Sequence, residues 1–70
     1  MPAINSKKLL QILKKRGFFI HHQIGSHLIL KHEKDMTKRV TLPMHNKDLK
    51  PGTLNSILKQ TGVEKDELFS

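Results

Sequence analysis

Five histidines stand in this 70-residue chain, at positions 21, 22, 27, 32 and 45, and there is no cysteine. The absence of thiols excludes thiolate zinc sites and thiol nucleophiles, leaving imidazole as the group best suited to move a proton near neutral pH. The histidines do not have metal-site spacing. No His-Glu-x-x-His occurs, and neighbours 21 and 22 should point to opposite sides of a strand. Neither a metal nor a cofactor is expected. His27 is set apart by its surroundings, because it follows Gly25 and Ser26 in "GSHLILKHEK" and has Lys31 and Arg39 further along the chain. An imidazole with an ordinary pKa of about 6.5 can take a proton from a ribose 2′-hydroxyl or give one to a leaving 5′-oxygen. Cationic neighbours would hold the phosphate and offset its developing charge. His45, just after "LPM", is a possible second acid or base, since cleavage through a cyclic phosphate uses both. Read from residues alone, a solvated or packing role outweighs catalysis for His27, and His45 more readily caps the second helix or is simply exposed. His21, His22 and His32 read as surface residues, with His21 the one placed to touch RNA.

These side chains need a scaffold, and the chain supplies clear punctuation for one. Ser6 is a good N-cap for "SKKLLQILKKRG", whose Leu9, Leu10, Ile12 and Leu13 form one apolar stripe among lysines, and Gly17 closes the helix over roughly 6–16. "FFIHHQ", "SHLILKH" and "RVTLP" follow, rich in aromatic and β-branched residues or alternating with period two. They predict three short antiparallel strands, the last stopped by Pro43. Pro51 or Thr53 opens a second helix with Leu54, Ile57 and Leu58 at i, i+3, i+4, and Gly62 ends it. "EKDELF" forms a final acidic turn or helix, with Leu68 and Phe69 docking back.

The order predicts a single α+β domain over 1–70, a two-layer α-β-β-β-α arrangement with both helices on one face of a three-stranded antiparallel sheet. Parity then assigns Phe18, Ile20, Leu28, Leu30, Val40 and Leu42 to the core. The open face receives Phe19, His21, Gln23, His27, Ile29, Lys31, Arg39 and Thr41. This division requires an odd loop between the first two strands. A three-residue loop, 24–26, with Gly25 in its left-handed position, satisfies it.

Thirteen Lys and Arg against six Asp and Glu give a net charge of +7, and three of the acids crowd into the last seven residues. Residues 1–63 are therefore more cationic than the whole, with twelve bases against three acids. A charge excess of this size on a small domain favours a polyanionic partner, with nucleic acid ahead of lipid. No long apolar run opens the chain, which predicts neither signal peptide nor membrane span and a cytoplasmic location.

Taken together, "LKKRGF", "GSH", "VTLPMH", "LKPGTLNSILKQTGV" and "DELF", in that order and spacing, resemble the HicA toxins (the YcfA family) of toxin–antitoxin systems. The resemblance implies a double-stranded-RNA-binding-domain-like fold and endoribonuclease activity against mRNA. It implies a HicB-like antitoxin as the inhibiting partner, with DNA bound only indirectly through that antitoxin. It also places the catalytic histidine at His27, supported by the turn residues Gly25 and Ser26. Lys31, Lys38, Arg39 and Lys47 are the expected phosphate contacts, with Phe19 and His21 as further RNA contacts. The doublet at 21 and 22 is no part of the resemblance. Exposed Phe19 and Ile29 would suit an antitoxin lying across the open face and His27. Two other readings remain: a non-catalytic basic RNA-binding module, and an interaction protein that docks an acidic partner.

Overall fold

The computed structural model describes residues 4–45 and 47–68. Helix α1 (Ser6–Lys15) is followed by strands β1 (Phe18–Ile24), β2 (His27–His32) and β3 (Arg39–Pro43), then helix α2 (Pro51–Thr61) and a short α3 (Lys65–Leu68). The strands form an open antiparallel meander in the order β1-β2-β3. Leu9 and Leu13 of α1 and Leu54, Ile57 and Leu58 of α2 share one buried cluster with Phe18, Leu28, Leu30, Val40 and Leu42 of the sheet. This is the expected two-layer α+β packing. Leu68 is buried in the same cluster, and the Arg16–Glu67 ion pair at 3.1 Å holds α3 to the end of α1. Phe69 lies outside the described residues.

The helix ends differ in detail from expectation. The N-cap of α1 is Asn5, whose side-chain oxygen accepts from the Lys8 N–H at 2.8 Å. Asn caps as well as Ser does, which leaves the Ser6 hydroxyl available elsewhere. Fully buried, Ser6 donates that hydroxyl to the Pro43 carbonyl and pins α1 to the end of β3. At the other end Gly17 adopts φ +95°, and a Cβ there would sit 2.8 Å from His32 Nε2. That histidine is a fastener between α1 and β2 rather than a loose surface group. Its Nε2–H donates to the Arg16 carbonyl at 2.9 Å, its Nδ1 accepts from the Lys34 N–H at 3.1 Å, and its ring meets Phe18 edge-on.

The first hairpin corrects the loop prediction. Ile24 pairs with His27, leaving a two-residue turn of Gly25 and Ser26. Gly25 takes φ +58° while Ser26 stays at negative φ, the preference of a type II′ turn with glycine first. The odd residue is found four positions earlier. Pairing runs Ile20↔Leu30 and then His22↔Ile29, so His21 is an inserted bulge residue. Two burial assignments also change. Ile20 lies toward the helices, as parity expects, yet is 41% exposed, because in β1 only Phe18 is buried. Ile29, expected on the open face, is there but only 3% exposed and stands outside the core cluster. It is therefore covered by its own face-neighbours, of which His22 and Thr41 flank it across the ladder.

Candidate active site

The register arranges the open face in three rows. His27 lies between Ile24 and Pro43, Ile29 between His22 and Thr41, and Lys31 between Phe19 and Arg39. His21 bulges out between the second and third rows. His27 and Lys31 are four residues apart on the central strand, roughly 13 Å along it, with the buried Ile29 as floor between them. The type II′ turn starts β2 at His27, and the Met44 N–H donating to the Ser26 carbonyl at 2.7 Å extends the ladder past β3 and steadies that turn. The His27 side chain is exposed at the mouth of the hairpin. A ring presented to solvent in the same face as two cations can exchange protons with a phosphate ester laid across it.

The bulge changes the standing of the histidine doublet. On a regular strand the two rings would part to opposite faces, but the inserted residue brings them together with Nδ1 to Nδ1 at 2.8 Å and centroids at 5.1 Å. Phe19 lies beside His21, 6.4 Å between ring centroids. The His21 imidazole is held below its ordinary pKa of 6.5, first by desolvation and then by the positive charges of Lys31, His22 and Arg39. Those causes place His21 electrostatically next to the very cations expected to grip phosphate.

Of the residues singled out from sequence, His27, Phe19, His21, Lys31 and Arg39 converge on this face. Three do not. His45 and Lys47 line a cleft with Leu49, Lys50 and Thr53 at the end of the sheet facing the start of α2, which meets the His27 row only at Pro43. Lys38 lies at the opposite end of β3, lining a cleft with Arg16, Gly17, His32 and Lys34. The expected phosphate contacts that lie on this face thus reduce to Lys31 and Arg39. Sequence reasoning missed His22 and Ile24 as members of the face. The signal available was the phase conflict itself: an odd residue was required in the hairpin, and a bulge inside β1 satisfies that need as well as a longer turn.

Among the described residues no group of three or more His, Cys, Asp or Glu is arranged to hold a metal ion. No helix is long and apolar enough to cross a membrane. Curated proteins offer no match to the chain. Residues 6–63, from the first turn of α1 to just past α2, match the family model of the HicA toxin of bacterial toxin–antitoxin systems. The chain belongs to the HicA toxin family and is thus the toxin side of a toxin–antitoxin pair.

Proposed function

We propose that this toxin is an endoribonuclease that cleaves mRNA in the cytoplasm, using His27 as general acid or base and needing no metal. The observation that carries the reading is the exposed His27 imidazole sharing one sheet face with Lys31 and Arg39. Imidazole supplies proton transfer, and the two cations supply phosphate binding and charge stabilisation. A flat face rather than a deep cleft suits a polymer, and exposed Phe19 offers a ring on which a base of single-stranded RNA can stack. A HicB-type antitoxin silences the enzyme by lying across this face. Its apolar footholds are Phe19 at 37% and Ile24 at 59% exposure, with the buried Ile29 playing no such part.

His27→Ala is the test. The variant should fold, bind its antitoxin and fail to arrest growth, with RNA cleavage slowed about 10²–10⁴-fold. Wild-type cleavage should survive EDTA. Cleavage undiminished by the substitution would move catalysis elsewhere, and salt-sensitive RNA binding with the substrate left intact would make the chain a binding module instead.

A further inference from the structure

The reaction proposed above needs two proton transfers, one at the attacking 2′-oxygen and one at the departing 5′-oxygen, and His27 can serve only one of them at a time. His45 lines a cleft toward the start of α2 that also includes Pro43, the ladder partner of His27. What the face does hold is the bulge-made imidazole pair. A hydrogen bond between two Nδ1 atoms 2.8 Å apart requires one ring to donate and the other to accept. In the neutral pair the donor ring has a bare Nε2, and the acceptor ring carries its proton on Nε2. Neither Nε2 has a bonding partner among the described residues. The pair therefore presents one proton acceptor and one proton donor at its outer ends, with a proton between them.

We propose that His21 and His22 form the second proton-transfer group of this site, a relay that accepts the 2′-hydroxyl proton while His27 protonates the 5′-oxygen. The assignment rests on the ribonuclease reading of the face. His22 sits opposite Ile29 and Ile24 sits opposite His27, so His22 and His27 are diagonal neighbours on one face, with backbones ~7–8 Å apart. That spacing leaves room for one phosphodiester with a group at hydrogen-bond reach, roughly 3 Å, on each side. The 2′-oxygen loses its proton to the bare Nε2 of His22 and bonds to phosphorus. The Nδ1 proton of His22 passes to Nδ1 of His21, and the Nε2 proton of His21 is released to water. The bond from phosphorus to the 5′-oxygen breaks, and that oxygen takes the proton of the His27 imidazolium. Products are a 2′,3′-cyclic phosphate and a 5′-hydroxyl end. Water then reprotonates His27 and resets the relay.

The charges around the pair favour this direction. Lys31 and His27 from β2 and Arg39 from β3 are the titratable or charged groups on its face, and all are basic. Desolvation first, and then the charges of Lys31, His22 and Arg39, disfavour a protonated His21 ring. A neutral ring is an acceptor.

The test compares wild type with His21→Gln, His22→Gln and the double variant on RNA, with far-UV circular dichroism to verify folding. Two substrates are used: an oligonucleotide cleaved by wild type, and the same strand with sulfur bridging at the cleaved 5′ position, whose leaving group needs no protonation. Each single variant should lose about 10²-fold or more on both substrates. The double variant should be no worse than the poorer single one, and the acidic limb of the pH–rate profile should vanish. His27→Ala should lose activity on the ordinary strand and regain most of it on the sulfur-bridged one. Pair variants that cleave like wild type, with an unmoved profile, overturn the relay while leaving the ribonuclease reading in place. So does the reverse substrate pattern, or loss of the acidic limb in His45→Ala. A wild-type protein that leaves RNA intact overturns both.

Discussion

At the scale of single residues, His21 is the side chain whose setting departs furthest from expectation. Its pKa lies below 6.5 because desolvation and the charges of Lys31, His22 and Arg39 all favour the neutral ring. The folded chain then binds that proton more weakly than the unfolded one. The associated stability is complete above pH 6.5 and is lost as pH falls through the lowered value. In a proton NMR titration the His21 ring should show a midpoint below 6.5. Lys31→Met, or about 1 M salt, should move the midpoint upward. A midpoint above 6.5 in wild type would contradict this electrostatic account. Much of the placement of residues on the candidate face was legible beforehand. "GSH" marked the turn and the ring behind it, and parity put Lys31, Arg39 and Phe19 beside it. Lys38, His45 and Lys47 were not placeable, because residues in loops have no period to assign them to a face.

At the scale of elements, the helices and strands followed from stripe, alternation and punctuation, and the core of Leu9, Leu13, Leu30, Val40 and Leu42 is as expected. What the pattern concealed is how far the helix layer reaches. Ile20 has core parity, yet β1 runs past its cover, and periodicity says which way a side chain points without saying what lies above it. The junction of α1 and β1 is a sharper case. Gly17 is required both for its left-handed φ and for the space that His32 occupies. Gly17→Ala should therefore destabilise the fold by about 1–3 kcal/mol, read as a lower midpoint in urea with an unchanged slope. A loss well under 1 kcal/mol would show that the His32 ring yields without cost.

At the scale of the whole molecule, the chain is a slab of about 31 × 26 × 18 Å, with helices behind one broad side and the open sheet face on the other. On the proposed function, a macromolecule covering that side would displace RNA and remove His27 from water in one act. In the antitoxin complex His27 should resist carbethoxylation by diethyl pyrocarbonate, mapped by peptide mass spectrometry, while His45 in its own cleft stays reactive. Equal modification of His27 with and without antitoxin would place the inhibitor elsewhere. The bulge has a simpler meaning at this scale. Pairing on one side of His21 is in phase with pairing on the other, as a ladder lacking that residue would also be. The insertion therefore adds a third imidazole to the face, beside His22 and His27, without rotating any other side chain of the strand, and the sheet carries it as a removable fitting.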